Sequence, residues 1–408
     1  MNMAALLSVA DALALVLAKA EPLPAEQAPL LEADGRVLAT DLAALRTQPP
    51  EDLSAMDGYA VRAADVAGAP VTLKLIGEVA AGHPFPGTIS AGEAARIFTG
   101  GVVPPGADAI VIQENTSRDG DHVRVQKASP AGRHIRRAGL DFKQGQVLLP
   151  ARRRLSDRDL MLAAAMNHPT VPVHRRPRIA ILGTGDELKP PGTTPGPGEI
   201  IYSNGFALMT LARHEGAEVI DLGIVPDRIE ETIAAVRRAR ESSADILLTT
   251  GGASVGDYDL VQRGLASEGL GLSFWRVALR PGRPLMHGHL GAMHVLGLPG
   301  NPVSAYVCGF LFLAPLVRRL AGRNDVEPIP ESALLGRDLP ENDERADYLR
   351  ATLEPGRNAL PVATPVPVQD SSMMAALAKA DCLVIRTPHA PAAKAGEPCR
   401  ILKLKPGL

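Results

Sequence analysis

The strongest constraint on the fold is an alternation of strand-like and helix-like segments across residues 177–321. In chain order these segments read RIAILGT, FALMTLARHEG, EVIDLGIV, DRIEETIAAVRRARESSA and DILLTTGG. Such alternation indicates crossover connections, because each helix returns the chain to begin another parallel strand. The segment therefore predicts a doubly wound α/β domain, with a mostly parallel sheet and helices on both faces.

The segments on either side are richer in strands, and 408 residues are too many for one compact core. Between about 50 and 127, strands such as VTLKLIG and DHVRVQK alternate with Gly- and Pro-containing breaks, which predicts a β-rich domain. After Gly322 short strands return, among them YLRATL and CLVIRT. The predicted domains are a split N-terminal linker domain (1–47 and 139–175), a β-rich domain (48–138), an α/β domain (176–325) and a C-terminal β-barrel-like domain (326–408).

Two helical stretches are assigned to the split domain. The second covers 155–167 and begins with Ser156 as a plausible N-cap. The first is amphipathic rather than a signal peptide, because it lacks a cationic start and carries Asp11 and Lys19. Its apolar residues at helical spacing are Leu6, Ala10, Leu13 and Leu17.

Composition excludes several functional classes. The formal net charge is −2 and aromatic residues make up 3% of the chain, so we expect no nucleic-acid partner. We also expect no membrane partner, because no run approaches the ~20 apolar residues that cross a bilayer. The cysteines Cys308, Cys382 and Cys399 have no metal-type spacing and are interpreted as free thiols in a reducing compartment. The expected location is the cytoplasm.

Glycine-rich turns follow two of the predicted parallel strands, where such sheets bind ligands. LGTGDEL supplies Gly183 and Gly185, which would let the backbone approach a ligand. NAD binding is disfavoured, because Leu188 replaces the third glycine and acids follow where pyrophosphate requires bare amides. The second turn, TTGGASVGDYD, supplies Gly251, Gly252 and Ser254, and neither turn contains the Gly-Lys-Ser/Thr of a P-loop.

Acidic residues beside these turns predict a divalent cation between carboxylates and a bound anion. Mg²⁺ is typically held by one or two carboxylates together with substrate phosphate oxygens. The candidate ligands are Glu187, Asp257 and Asp259. The alternative is that Asp186 and Asp257 only cap the helices that follow.

Two further features could bind an oxyanion. Arg280 and Arg283 flank a Pro-Gly turn and can grip phosphate or another tetrahedral oxyanion. A solvated hairpin tip is the alternative for this arginine pair. In LPGNPVSA, Asn301 is a plausible N-cap and Pro302 the first helical residue, so the amides of that helix start could also face an anion.

Three histidines lie close together in the sequence at His287, His289 and His294. The segment around the first two resembles a hairpin strand. Carboxylate or thiol partners at ligand spacing are missing from the pattern, so we interpret these residues as structural histidines.

A lone carboxylate precedes a predicted strand in LSAMDGYAV. Asp57-Gly58 is typical turn sequence, whereas Tyr59 to Val61 continue as a strand. We therefore place Asp57 where a loop enters the strand, a position from which a carboxylate can face a cleft.

Six ordered blocks resemble one family across nearly the whole chain, the molybdopterin molybdenumtransferases that include MoeA and the gephyrin E domain. The blocks are SAMDGYAV (54–61), RIFTGGVVPPGADAIVIQE (96–114), GTGDEL (183–188), TTGGASVGDYD (249–259), RPGRP (280–284) and LPGNPVSA (298–305). The resemblance implies an elongated four-domain protein, usually a homodimer, that uses adenylylated molybdopterin and molybdate. It implies Mg²⁺-dependent cleavage of the anhydride, loss of AMP and insertion of molybdenum. The implied partners are molybdopterin adenylyltransferase as upstream donor and molybdoenzymes or their chaperones downstream.

The resemblance also assigns residues. It implies catalytic roles for Asp57, Thr99, Asp141, Glu187 and Asp259, with Asp57 reaching the cleft from the partner subunit. It implies substrate contacts by the α/β-domain turns and by Asp227, Pro299, Asn301, Arg350 and Ser371. Arg276, Arg280 and Arg283 stand where the family commonly has lysine, an exchange that changes how an anion is gripped.

Two other functions are open to a chain of this kind. A molybdopterin-binding scaffold without transferase activity would need an interaction surface beyond the catalytic core. A molybdopterin adenylyltransferase-like enzyme would share the α/β domain alone, and residues 1–175 and 326–408 argue against it.

Overall fold

The computed structural model describes residues 6–251, 260–356 and 360–404. Strands and helices are numbered in chain order. The strands are β1 Ala25–Pro29, β2 Leu42–Ala43, β3 Leu53–Ser54, β4 Gly58–Val61, β5 Val71–Val79, β6 Glu93–Ile97, β7 Ala109–Ile112, β8 Thr116–Asp119, β9 His122–Val125, β10 Ile135–Arg136, β11 Val147–Leu149, β12 Thr170–His174, β13 Arg178–Thr184, β14 Leu188–Lys189, β15 Ile200–Ile201, β16 Glu218–Val225, β17 Ile246–Thr250, β18 Gly271–Phe274, β19 Leu279–Arg280, β20 Met286–Leu290, β21 Met293–Leu298, β22 Glu331–Leu335, β23 Ala346–Glu354, β24 Val362–Pro365, β25 Cys382–Arg386 and β26 Pro398–Lys403.

The α-helices are α1 Val9–Leu17, α2 Ala63–Val66, α3 Asp157–Ala165, α4 Asn204–His214, α5 Ile229–Glu241, α6 Leu260–Ser267, α7 Pro302–Cys308, α8 Ala314–Leu320 and α9 Met374–Lys379. Short 3₁₀ turns lie at Leu30–Ala33 and Gln113–Asn115. A π-helical turn, Gly309–Leu313, joins α7 to α8.

The central sheet has the strand order β16-β13-β17-β21-β20-β18. Its first four strands run parallel, whereas β20 and β18 are antiparallel additions at one edge. Apolar clusters cover both faces: α4, α7 and α8 pack with Ile181 and Leu248, and α5 and α6 pack with Ala180 and Leu247. The predicted doubly wound α/β domain is confirmed.

The N-terminal helix, which the sequence grouped with the split domain, packs on this α/β domain. Ala12, Val16 and Ala20 belong to the same buried cluster as α4 and α8. The buried face is also shifted from the predicted one, because Ala10 is exposed and Leu13 only partly buried. Several spacings of apolar residues fit one short helix, so the sequence pattern could not select the face that the α/β core covers.

The helix Pro302–Leu320 is 19 residues long with a mean hydropathy of 1.5. By length and composition alone it could span a bilayer, a possibility that the search for apolar runs did not reveal. However, 83% of its apolar stretch is buried inside the protein, where Val307, Phe312 and Leu316 pack in the α/β core. These contacts are those of a core helix.

The split domain joins two distant parts of the chain. β1 pairs with β12 and β2 with β11, all antiparallel. Leu38 and Leu42 share one buried cluster with Phe142 and Met166. Helix α3 begins after Ser156, whose side chain forms a capping box with Asp159, so the predicted N-cap is confirmed. The domain boundaries themselves stay predictions.

The other two domains are built on β-sheets. The β-rich domain holds a six-stranded sheet in the order β7-β4-β6-β5-β9-β8. In the C-terminal domain, β23 pairs with both β24 and β25, which closes the ring β23-β24-β22-β26-β25 into a barrel. The predicted β-barrel-like domain is confirmed. Strand β19 lies within the range predicted for the α/β domain, yet it pairs with β23 of the barrel.

A buried ion network ties α4 to the end of α8. Glu215 accepts hydrogen bonds from Arg318 at 2.6 and 2.7 Å and from Arg323 at 2.7 Å. The side chains of Glu215, Arg318 and Arg323 are only 12%, 15% and 6% exposed. Removing one member of a mostly buried network weakens the pairing of the remaining charges, which lowers the stability of the fold because the surroundings have a low dielectric constant.

We therefore expect Glu215→Gln to lower the free energy of unfolding by about 3 kcal/mol, because buried Arg318 loses its counter-charge and Arg323 keeps only Asp325. The matched control is Glu218→Gln. Glu218 pairs with Arg178 at 3.3 Å, but its side chain is 54% exposed, so its loss should cost at most ~1 kcal/mol. Urea unfolding followed by circular dichroism measures both changes. Equal losses in the two variants would contradict a specific role for the buried network.

Candidate active site

The carboxyl ends of β13, β17 and β21 form a backbone cradle. A Cβ on Gly251 would lie 2.6 Å from the carbonyl oxygen of Thr184, and Gly251 has a φ of +89°. A Cβ on Gly300 would lie 3.7 Å from the Cα of Gly251. Only glycine permits this convergence of three backbones, because any side chain at Gly251 would clash and be strained. Exposed main chain at the ends of adjacent parallel strands is where sheets of this type bind ligands.

Gly183 has a different role from the predicted one. It lies inside β13, and a Cβ there would stand 2.6 Å from the ring of Tyr202. Its missing side chain therefore admits Tyr202, and the approach of backbone to a ligand stays a prediction for Gly185 and Gly251. Pro299 is buried directly after β21 and leads the chain to Gly300.

Three carboxylates collect beside the cradle. The carboxylate of Glu187 folds back over Gly185, where a Cβ would be 2.4 Å from Oε2. Asp186 Oδ1 accepts the backbone N–H of Asp227 at 3.2 Å. Burial raises the pKa of Asp227, and the nearby charges of Asp186 and Glu187 raise it further. Among the described residues, none of the three forms an ion pair with Lys or Arg, so the cluster carries uncompensated negative charge.

The alternative that Asp186 caps a following helix is wrong. The chain continues into β14 instead, and the next helix, α4, begins only at Asn204. The other turn residues singled out by the sequence, Gly252, Ser254, Asp257 and Asp259, lie outside the described ranges.

Asp57 occupies the predicted position immediately before β4. Its Oδ1 accepts two hydrogen bonds from Thr99, one from the backbone N–H at 2.8 Å and one from the hydroxyl at 2.7 Å. These bonds hold the pKa of Asp57 below its ordinary value, and the charge of Arg96 contributes further. The structure thus brings Asp57 and Thr99 together as an ionised, oriented pair.

Arg96 was missed by the sequence reasoning. Its guanidinium donates to the carbonyl of Gly58 at 3.0 Å and to Gln113 at 2.7 Å, and it lies over the rings of Tyr59 and Phe98. This side chain fixes the strand that begins after Asp57. The signal was present in RIFTGG, since strand periodicity places Arg96 beside Tyr59, its cross-strand partner.

Asp141 lies on an exposed loop. Its backbone N–H donates to Gln48 at 3.0 Å, and Gly139 donates in the same way to Pro49 at 2.9 Å. The loop therefore runs beside the segment that leads to Asp57. Within the described ranges, no hydrogen bond joins the side chain of Asp141 to Asp57 or Thr99.

Asn301 and Ser371 meet between the α/β domain and the barrel. Asn301 Nδ2 donates to the hydroxyl of Ser371 at 2.8 Å, and the N–H of Val303 donates to the carbonyl of Ser371 at 3.0 Å. The predicted N-cap position of Asn301 is confirmed. The predicted anion seat needs a correction, because the chain itself uses one of the helix-start amides. Asn204, also missed, donates to the carbonyl of Gly300 at 2.7 Å.

Arg350 binds the protein rather than facing a cleft. It is 1% exposed, and its guanidinium donates to Gln369, Met373 and Val368 at 3.1 to 3.4 Å. Arg350 therefore positions the loop that carries Ser371, which differs from the predicted substrate contact.

The structure gives Arg280 and Arg283, predicted to bind an anion as a pair, different surroundings. Arg280 lies on β19, where it donates to Asp343 and Asn342 at 3.0 Å and forms a short contact with Asp347, so its charge is already compensated. The sequence placed the pair at a hairpin tip, but the segment crosses to the barrel sheet instead. Arg283 is exposed and has no ion pair among the described residues. Arg276 is exposed and lies over the ring of Trp275 at 5.6 Å.

The Asp57–Thr99 pair and the acidic cluster are built separately. The hydrogen bonds that hold Asp57 lie within the β-rich domain, whereas those that arrange Asp186, Asp227 and the cradle lie within the α/β domain. The arrangement suits chemistry on an anionic ligand, with closely exposed main chain at the cradle and carboxylates that could hold a metal ion bridging to that ligand.

Family models match most of the chain. The model described as MoeA N-terminal region (domain I and II) matches residues 7–167, Probable molybdopterin binding domain matches 180–319, and MoeA C-terminal region (domain IV) matches 332–404.

Relatives of known name agree with these matches. The molybdopterin molybdenumtransferase of Haemophilus influenzae is 34% identical over 92% of this chain and 93% of its own length. That of a Nostoc strain is 39% identical over 79% of this chain and 76% of its own. The crystal structure of the molybdopterin biosynthesis MoeA protein from Pyrococcus horikoshii covers 99% of this chain and 100% of its own with a TM-score of 0.86 at 29% identity. The chain therefore belongs to the MoeA family of molybdopterin molybdenumtransferases.

Proposed function

We infer that this protein inserts molybdenum from molybdate into adenylylated molybdopterin and releases AMP. The observation that carries the inference is the convergence of Thr184, Gly251 and Gly300 beside the carboxylates of Glu187 and Asp227. Bare backbone binds a phosphate closely, and adjacent carboxylates fit a divalent cation that bridges to it. Family membership supplies the substrate class, which the relatives' names state for those proteins.

The acidic cluster fits Mg²⁺. Glu187, Asp186 and Asp227 offer hard oxygen ligands, and burial, with a smaller contribution from the charges of Asp186 and Glu187, raises the pKa of Asp227, so a cation would stabilise its ionised form. When bound there, Mg²⁺ would neutralise phosphate charge as the anhydride is cleaved. Asp257 and Asp259 remain proposed ligands on the strength of the sequence.

The protein's own groups would align the two anionic halves of the substrate. The cradle would hold the pterin phosphate, and Arg283 would contribute positive charge from its exposed position. Asp57, held ionised by Thr99, would act as a fixed negative charge that accepts hydrogen bonds from the ligand or faces a positively charged ligand edge. Asn301 and Ser371 would close the cleft from the barrel side.

We further propose that the working form is a cytoplasmic homodimer. The Asp57–Thr99 pair and the acidic cluster are each organised within a separate domain, so a second subunit could bring them together. We propose molybdopterin adenylyltransferase as the upstream donor, and molybdoenzymes or their chaperones as the acceptors.

The direct test incubates the purified protein with adenylylated molybdopterin, Mg²⁺ and molybdate while AMP is quantified. The transferase should release AMP only when molybdate is present. A scaffold would bind the pterin without release, and an adenylyltransferase would consume ATP with unmodified molybdopterin. Either result would contradict the proposal.

Asp57→Asn and Glu187→Gln should each lower molybdate-dependent AMP release by roughly a hundredfold or more, because each removes a charge aimed at the reacting groups. The fold should persist, since the amide oxygen introduced at position 57 can still accept from Thr99. Melting temperatures should stay within a few degrees. Matched controls are Asp121→Asn and Glu230→Gln, which remove exposed carboxylates from the same two domains. If the two control variants lost as much activity, the catalytic roles assigned to Asp57 and Glu187 would be contradicted.

Mixing the two inactive chains tests the subunit arrangement. If Asp57 and Glu187 meet across a two-fold interface, a heterodimer of Asp57→Asn with Glu187→Gln contains one intact site of two. Heterodimers isolated through two different affinity tags should then recover about half of the wild-type activity. Verified heterodimers without recovered activity would place both acids in one protomer's site.

Arg283→Ala should raise the dissociation constant of molybdate or of the pterin phosphate about tenfold, a loss of ~1.4 kcal/mol. Arg283→Lys should recover only part of this loss, because the planar fork is gone. Arg280→Ala should instead lower stability, since it leaves Asp347, which is 4% exposed, without its cation. Equilibrium dialysis at low salt measures binding, with the exposed Arg238→Ala as control. Unchanged affinity in Arg283→Ala would place the anion contact elsewhere.

A further inference from the structure

A cluster of histidines lies on the edge hairpin of the central sheet, away from the candidate active site. β20 and β21 pair in a register that sets His289 directly opposite His294, and His287 lies two residues before His289. Side chains two apart in a strand, and directly opposed across strands, project from the same face. All three rings therefore share one face of the hairpin.

The imidazole groups are close enough to share one ion. The ligand nitrogens of the three residues all lie within 4.8 Å of one another. Nε2 of His287 is 3.4 Å from Nδ1 of His294. Bonds of about 2.0 to 2.1 Å from a tetrahedral zinc ion set the distance between two ligand nitrogens at about 3.3 to 3.4 Å. The distance between His287 Nε2 and His294 Nδ1 equals this ligand-to-ligand distance, and it is long for an N–H···N hydrogen bond.

Two buried nitrogens of these rings lack hydrogen-bond partners within the described part of the chain. His287 is fully buried, yet its Nδ1 has no hydrogen-bond partner among the described residues, and the same holds for the buried Nε2 of His289. Buried polar atoms in native proteins are almost always satisfied. Two unsatisfied ring nitrogens in one small cluster therefore require an explanation beyond packing.

Their surroundings suit a neutral-ligand site. His287 and His294 are buried, with only 0% and 3% of each residue exposed. The charged groups that act on the cluster are Lys19 and Asp245. The ring of Phe274, with its centroid 5.7 Å from that of His287, supplies an apolar wall.

We propose that His287, His289 and His294 form a binding site for a divalent transition metal of the zinc class. Imidazole nitrogens select Zn²⁺, Ni²⁺ or Cu²⁺ over Mg²⁺, which prefers oxygen ligands. His289 is only partly buried, so water can supply a fourth ligand from its side.

This site is distinct from the candidate active site. His294 pairs with Ile246 at the beginning of β17, and its N–H donates to the carbonyl of Asp245. The cradle lies at the opposite ends of the same strands, beyond Thr250 and Leu298. Four residues of extended strand from His294 to Leu298 separate the two by roughly 13 Å. A metal at the histidines would clamp β20 to β21, which makes its role structural.

The test uses the full-length protein, first stripped of metal and then titrated with Co²⁺ in excess Mg²⁺, which occupies oxygen-ligand sites. We expect one Co²⁺ per chain, with the intense visible ligand-field band of tetrahedral cobalt and displacement of that band by Zn²⁺. Zn²⁺ should also raise the melting temperature, because it binds only the folded arrangement.

Variants locate the site. His287→Ala, His289→Ala and His294→Ala should each weaken Co²⁺ binding at least tenfold, whereas the exposed His122→Ala should leave it unchanged. His289→Ala keeps the test valid if the two buried substitutions fail to fold. A wild-type protein without the tetrahedral band would overturn the proposal. So would a band that persists in His289→Ala or that disappears only in Cys399→Ser, and the rings would then be packing residues.

Discussion

The structure depends on the burial of one central strand. All five residues of β17 are buried, and its backbone bonds on one side to β13 and on the other to β21. Each fully buried Ile or Leu contributes about 1.5 to 3 kcal/mol, and helices must cover both faces to obtain it. The parallel arrangement also brings the ends of three strands to one edge, so the packing that stabilises the domain creates the glycine cradle.

The remaining domains fix other side chains that the sequence singled out. The barrel presents Ser371 to Asn301, and Arg350, buried behind it, holds the loop in place. The β-rich domain fixes Asp57 through Thr99 and Arg96. Separating these contributions allows each carboxylate to be tuned locally: hydrogen bonds lower the pKa of Asp57, whereas burial and like charge raise that of Asp227.

Sequence reasoning predicted what depends on local pattern. The α/β alternation, the position of Asp57 before β4 and the capping residues Ser156 and Asn301 follow from periodicity and short-range chemistry. It failed where long-range packing decides. From the RPGRP motif, Arg280 and Arg283 were predicted to bind an anion equally well. No local pattern reveals that Asp347, 67 positions after Arg280, neutralises Arg280 and not Arg283. The N-terminal helix likewise could have covered either neighbouring domain.

The crossing of β19 into the barrel sheet has a consequence for association and for motion. Strand β23 pairs with β24 only from Ala351 onward, which leaves the beginning of the same edge open, and β19 covers Ala346 and Asp347 there. Unpaired strand edges recruit other chains and promote aggregation. Leu279 and Arg280 of β19 thus cover an edge of the barrel sheet that would otherwise be unpaired. Movement of the barrel away from the α/β domain would expose the backbone of Ala346 and Asp347. This cost disfavours large motions between the two domains at this junction.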